Sequence, residues 1–104
     1  MSVPNTARVN SAMLSGMVGQ TVRFVGKIIE QNGTRALMTA SDKGRVDVHM
    51  NENSQYGTQF VEVIGSVNSD LSITELASTN FGNNFDLDTY DELAKKMQMF
   101  PKLF

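Results

Sequence analysis

Thr21-Val22-Arg23-Phe24-Val25-Gly26-Lys27-Ile28-Ile29-Glu30-Gln31 is the stretch from which the fold is read. Val22, Phe24, Val25, Ile28 and Ile29 are β-branched or aromatic, the residue types that fill a pleated, half-buried surface. Gly26 interrupts the run at its centre. A lone glycine inside a strand marks a bulge or sharp bend, because only a residue without Cβ tolerates that backbone. A long strand bent there serves two neighbours at once and closes a small barrel. Asn32-Gly33 follows directly. A type I′ turn needs φ > 0 at both central residues, so this pair predicts a hairpin that folds the next strand back onto 21–31.

Downstream, 34–40 reads as a second strand, and Ser41-Asp42-Lys43-Gly44 is a turn cluster. Residues 45–50 alternate, with Val46, Val48 and Met50 inward and Arg45, Asp47 and His49 outward. A polar, irregular stretch at 51–58 leads to a fourth strand at 59–67, which carries a second mid-strand glycine, Gly65. Asn68-Ser69-Asp70 turns into a fifth strand at 71–77. Upstream, 1–8 reads as a frayed, flexible start. Asn10 is a predicted cap for a short helix over 11–17, whose Met13, Leu14 and Met17 share a face and plug one barrel end. Five short strands bent at Gly26 and Gly65 predict a mainly β fold, a five-stranded barrel of the OB type. The expected organisation is a flexible start at 1–8, the barrel at 9–77, a polar linker at 78–85 and a helical segment at 86–104.

In that last segment the apolar period changes from 2 to 3.6. Asp86 is placed to cap a helix over 87–100, with Asp88 a second candidate, and Phe85 can staple onto Tyr90. Pro101 ends the helix. Leu87, Tyr90, Leu93, Ala94, Met97 and Phe100 occupy one arc of about 140°. Asp88, Asp91, Glu92, Lys95, Lys96 and Gln98 fill the opposite side, with Met99 the misfit. Asp91–Lys95 and Glu92–Lys96 are i,i+4 pairs in the order the helix dipole favours. Two fates stay open for the apolar arc. It covers its own barrel, or it stands off on the linker and packs against helices of other chains, as the heptad-like spacing 90, 93, 97, 100, 104 suits.

A chain of 104 residues holds one domain with one modest core. Hydrophobic content of 40% and charged content of 19% are those of a globular rather than a disordered protein. The absence of cysteine removes disulfide and thiolate chemistry and fits a reducing compartment. No apolar run reaches membrane-spanning length and the polar start has no signal-peptide core, so no membrane partner is expected. Catalysis is not expected either. His49 is the sole histidine and reads as a solvated strand residue, with no phosphate loop, metal-ligand cluster or nucleophile motif beside it. No metal or cofactor is therefore expected. Asn32-Gly33-Thr34 matches a glycosylation acceptor but reads simply as a turn.

The net charge of −2 and a pI near 5.2 speak against a grip on nucleic acid by charge alone. Arg23, Lys27, Arg35, Lys43 and Arg45 cluster in the first half, whereas 51–92 contains no Lys or Arg. Any basic surface falls on the first three strands. An OB barrel binds single strands through aromatics on its second and third strands. Here 34–50 holds no Phe, Tyr or Trp, which leaves Arg35, Lys43 and Arg45 for a weak contact with single-stranded nucleic acid. Stacking contributes about 1–3 kcal/mol per base, so the largest sequence-tolerant source of affinity is missing from a face that otherwise reads as solvated.

Arg8-Val9-Asn10-Ser11-Ala12-Met13-Leu14, Phe24-Val25-Gly26-Lys27 and Glu62-Val63-Ile64-Gly65-Ser66-Val67 are individually weak signatures. Phe85-Asp86-Leu87 with Tyr90, Phe100 and Pro101, all after five barrel strands, is more specific. Together they resemble the small-subunit family of replication protein A, the heterotrimeric eukaryotic single-stranded DNA-binding complex. The resemblance implies an OB barrel followed by a helix that bundles with one helix each from the large and middle subunits. Leu87, Tyr90, Leu93, Ala94, Met97 and Phe100 would then face those partners. It also implies an assembly role in DNA replication, repair and recombination, single-stranded DNA met through the complex, and a nuclear location. The compact 41–44 turn and the short tail after the helix depart mildly from the family pattern. The alternatives are an autonomous single-strand-binding module and the small OB subunit of a telomere-end-binding trimer. The bare face of 34–50 favours an assembly role over the autonomous module.

Overall fold

The computed structural model describes residues 6–99. Its organising element is β2 (Thr21–Asn32), which is long enough to pair with different strands along its two halves. From Thr21 to Lys27 it runs antiparallel to β5 (Phe60–Val67), and from Gly26 onward antiparallel to β3 (Arg35–Ala40). β3 pairs with β4 (Arg45–His49), and β4 meets β6 (Ile73–Gly82) in a short parallel contact at Val48–Ile73 and His49–Thr74. β6 returns antiparallel to β5, so the ring β2-β3-β4-β6-β5-β2 closes as the expected five-stranded barrel. β1 (Ala7–Val9) adds a strand parallel to β2, and α1 (Leu87–Met99) follows β6.

Two expected boundaries move. Ala7 and Arg8 are strand rather than frayed chain, a segment of three residues being too short to show an alternation. β6 runs through to Gly82, across most of the stretch read as a linker at 78–85. Its polar end is strand because it pairs with β5 and holds the 51–59 connector through side chains. Asn80 accepts from the Gly57 amide at 3.1 Å and donates to the Gln55 carbonyl at 3.2 Å. Further back, buried Glu75 accepts from the Asn51 amide, the Ser54 hydroxyl and the Tyr56 hydroxyl, so the irregular connector has one path.

The barrel interior is filled by the inward rows, with Val22, Phe24, Met38, Val48, Val61, Val63 and Ile73 at its centre. Leu14 enters it from a 3-10 turn, Ser11–Gly16, with Met13 and Met17 packed alongside, so the plug forms as predicted. Its cap is not Asn10, whose side chain makes no capping bond. Asp42 from the β3–β4 turn does the capping, accepting from the Ser11 amide at 3.2 Å, the Ala12 amide at 3.0 Å and the Ser11 hydroxyl at 2.8 Å. Burial raises the Asp42 pKa, but these bonds outweigh it and hold the carboxyl below the usual range.

The glycines act through space rather than backbone freedom. Gly26 is not at positive φ, and the bulge in β2 lies between Ile28 and Glu30. A Cβ at Gly26 would stand 2.9 Å from the Thr39 carbonyl oxygen and 3.0 Å from the Phe24 ring, at the point where β2 has strands on both sides. A Cβ at Gly65 would overlap the Thr74 carbonyl oxygen. The hairpin also differs in detail. Asn32 pairs with Arg35, so Gly33-Thr34 is the loop, and only Gly33 has positive φ, 59°. That places glycine first in the loop, as in type II′ rather than type I′.

Gly26→Ala and Gly65→Ala should each destabilise the chain, by about 1–3 kcal/mol, the scale of overpacking in a filled core. Gly65→Ala should be the worse, because its Cβ would overlap the Thr74 carbonyl oxygen outright, whereas at Gly26 the Thr39 carbonyl oxygen stands 2.9 Å away. Urea midpoints check this, and a Gly65→Ala midpoint equal to that of wild type would contradict the steric reading.

Candidate functional site

α1 lies on the outer face of the barrel, against β1 and β2. Its start is fixed as the sequence predicts. The Asp86 carboxylate accepts from the Thr89 amide at 3.1 Å and the Thr89 hydroxyl at 2.8 Å. The Phe85 ring packs on Tyr90 at 6.2 Å between centroids, and on Phe81 at 5.1 Å and Phe60 at 6.0 Å. This aromatic group anchors the first turn to the ends of β5 and β6.

One turn on, the helix is bonded to the barrel. The Tyr90 hydroxyl donates to the Arg23 carbonyl at 3.0 Å, and burial together with the charge of Glu62 pushes this phenol's pKa up. Ala94 is 0% exposed. Val25, on the outer face of β2 and outside the interior cluster, is also fully buried, on a strand against which the helix lies. Asp91 completes the attachment. Its Oδ1 accepts from Asn10 Nδ2 at 2.9 Å and from Ser41 Oγ at 2.9 Å, and its Oδ2 pairs with Lys95 at 2.9 Å. Burial raises the Asp91 pKa, but the bonds from Asn10, Lys95 and Ser41 prevail and hold it below the usual range.

The apolar arc of the helix is therefore divided. Tyr90 and Ala94, expected to face partners, are turned onto the chain's own barrel and corrected to that role, because the outer face of β1 and β2 needs a cover. Leu87, Leu93 and Met97 are half-buried. Leu93 and Met97, i,i+4 neighbours, form the flank still open to another chain, with Arg8 Nη1 lying 3.4 Å from the Met97 sulfur. Phe100 and Pro101 lie outside the described residues. Met99 is 69% exposed away from this flank. Of the two expected helix ion pairs, Asp91–Lys95 forms, and among the described residues Glu92–Lys96 does not.

The face of β3 and β4 keeps its basic groups apart. Cross-strand partners line up as Arg35 with His49, Leu37 with Asp47 and Thr39 with Arg45. Glu30 of β2 stands beside Leu37. Arg35 and Arg45 are thus at opposite ends of the ladder, about 13 Å apart along the strands, with an acidic row between them. An open depression of about 370 Å³ on this face is lined by Glu30, Asn32, Arg35, Ala36, Leu37 and Asp47. Lys43 sits in the turn beyond, at φ 72°. The three basic residues do not converge on one phosphate. Among the described residues no cluster suited to a metal ion occurs, and no helix is long and apolar enough to cross a membrane.

No sequence pattern joins Asp91, Asn10 and Ser41 as a unit. Asp91 falls just beyond the edge of the apolar arc, four residues after Leu87 and three before Ala94, which is the one local sign that it faces protein. Nothing local marks Asn10 and Ser41 as its donors.

A family described as Replication factor A protein 3 matches residues 1–104. The Replication factor A protein 3 of Schizosaccharomyces pombe is 32% identical over 100 residues, covering 95% of this chain and 94% of its own. One of the Replication protein A 14 kDa subunits of Arabidopsis thaliana is 34% identical over 90 residues, covering 86% and 84%. A chain in the structure of U. maydis Replication protein A bound to single-stranded DNA superposes with a TM-score of 0.91 at 36% identity, covering 95% and 94%. The telomere capping protein Ten1 from S. pombe superposes with a TM-score of 0.73 at 12% identity, covering 90% and 98%, a likeness of fold alone.

Asp91→Asn should loosen the helix and cost about 1–3 kcal/mol, the scale of a buried charge-assisted hydrogen-bond group. The pH dependence has a fixed sign. The folded pKa lies below the ordinary 3.8, so the stabilisation is complete above that value and is lost as pH falls through the folded one. Thermal melts should show the variant less stable than wild type at pH 7, with the gap closing below about pH 4. Equal melting temperatures at pH 7 would contradict the role given to Asp91.

Proposed function

Because the chain belongs to the Replication factor A protein 3 family, we propose that it is the small, non-catalytic assembly component of a heterotrimeric single-stranded DNA-binding complex. Its partners are the large and middle subunits, and the complex acts in DNA replication, repair and recombination. The observation that carries the reading is the division of α1. Tyr90, Asp91 and Ala94 fasten the helix to the barrel, while Leu93 and Met97 keep an apolar flank uncovered. Docking fixes the helix before partners arrive, which lowers the ordering entropy that association must overcome. DNA contact belongs chiefly to the complex, in keeping with the bare, mixed-charge face of β3 and β4. The replication names of its relatives support a nuclear site of action. The telomere-trimer alternative has only a fold likeness in its favour.

Leu93→Asp should abolish co-purification with the large and middle subunits while the free chain keeps a cooperative melt, because an unpaired charge cannot be buried in a bundle. Met97→Asp is the milder variant, since Arg8 stands ready to pair with the new carboxylate. The isolated wild-type chain should bind a labelled oligonucleotide no tighter than the non-specific range of about 1–100 μM. A Leu93→Asp chain that assembles normally would overturn the assembly reading. Sub-micromolar binding by the chain alone would favour the autonomous module instead.

A further inference from the structure

Across the outer face of the sheet, Arg8 of β1, Arg23 of β2, Ile64 of β5 and Ala77 of β6 are successive cross-strand partners. Their side chains therefore stand side by side. Arg8 and Arg23 place two guanidinium groups on strands about 4.8 Å apart, and like charges directly opposite destabilise a sheet. Among the described residues neither forms an ion pair, and Arg23 Nε is buried without a hydrogen-bond partner. The polar contact that Arg8 makes is the one to the Met97 sulfur. Glu62, whose charge bears on Tyr90, lies two residues from Ile64 along β5 and pairs with neither arginine. The surface around the pair is apolar. Leu93 and Met97 border it on the helix side, and half-buried Ile64 and exposed Ala77 continue it across the sheet, beside Leu76 at 60% exposure.

We propose that Arg8 and Arg23 receive a carboxylate carried on an apolar helix of a partner subunit, which seats between the Leu93–Met97 flank and the Ile64–Ala77 sheet face. The inference rests on the assembly reading and extends the interface from α1 onto the barrel. Charge complementarity selects the occupant. A half-buried arginine pair with no ion-pair partner can donate charge-assisted, fork-like hydrogen bonds to an incoming carboxylate. The aliphatic rim suits the remainder of an amphipathic helix better than it suits a nucleic-acid strand, for which no aromatic platform is at hand. The sheet thus bears an unfavourable pair in the free chain that becomes favourable on assembly.

The test measures assembly with the large and middle subunits, as a function of salt, for four chains: wild type, the double variant Arg8→Gln/Arg23→Gln, Arg45→Gln and Leu93→Asp. The double variant should assemble at least about tenfold more weakly and lose most of the salt dependence of wild type. Its free-chain melting temperature should hold or rise as the repulsion is relieved, and the complex, once formed at high concentration, should bind single-stranded DNA as before. Arg45→Gln should change none of these. Wild-type affinity and salt dependence in the double variant, with Leu93→Asp unable to assemble, would overturn this inference and leave the assembly reading standing. Normal assembly by Leu93→Asp would overturn that reading itself. Intact assembly with weakened DNA binding would make the pair a phosphate site, and a clear drop in the free-chain melting temperature would make it structural; either result contradicts the proposal.

Discussion

The Asp91 carboxylate accepts hydrogen bonds from Asn10, just after β1, and from Ser41, at the β3–β4 turn, while its other oxygen pairs with Lys95 one helical turn away. Three segments remote in sequence are joined at one buried group. An acid placed there without donors would be driven out or protonated, and an acid with them is held ionised. The attachment is directional in a way that the packing of Ala94 would not supply, and the Tyr90 hydroxyl bond to the Arg23 carbonyl adds a second directional tie. Apolar contact resists separation but permits sliding, whereas bonds to Asn10 and Ser41 set the rotation of the helix about its axis. That rotation determines that Leu93 and Met97, and not Tyr90 and Ala94, remain at the surface.

Asn10 and Ser41 can serve as donors only because the barrel places them side by side. Asp42, next to Ser41, holds the 3-10 turn that begins at Ser11, next to Asn10. Gly44 keeps that approach open, since a Cβ there would overlap the Ser11 side chain. The same neighbourhood therefore caps the plug through Asp42 and docks the helix through Ser41. Its registration comes in turn from β2, whose Gly26 and Lys27 pair with β3 on one side and β5 on the other. A change in that register would shift the β3–β4 turn and with it one of the two donors that orient α1.

What was legible in the sequence was periodic or local. Alternation at 45–50, the β-branched run at 21–31 and the cap-and-staple signature at Phe85, Asp86 and Tyr90 all reappear as β4, β2 and the start of α1. These depend on steric rules acting within a few residues. What was not legible depends on contacts across the chain. β1 is three residues long and is defined by its parallel partner rather than by its own pattern. The far end of β6 reads as a linker because its side chains meet water and the 51–59 connector instead of a core. Gly26 stands out in the sequence as a lone glycine within a strand, yet the cause is crowding by Thr39 and Phe24 and not a forbidden backbone. The helix arc was visible as a whole, but its division between barrel and partner follows from Asp91, which resembles any solvated helix acid until Asn10 and Ser41 are seen beside it.

The outcome is a small barrel whose two outer surfaces differ in kind. The β3–β4 face carries separated charges around Leu37, while the β1–β2 face carries a fastened helix with an apolar flank and two arginines that form no ion pair among the described residues. The central claim is that α1 is already fixed to the barrel in the free chain. Amide hydrogen exchange of the isolated protein tests it most directly. The Ala94 and Lys95 amides should be protected to a degree approaching those of β2, and Asp91→Asn should lower helix protection while leaving β2 unchanged. Helix amides that exchange at unprotected rates in the wild-type chain would show that the helix is held only by its partners, and would contradict the account.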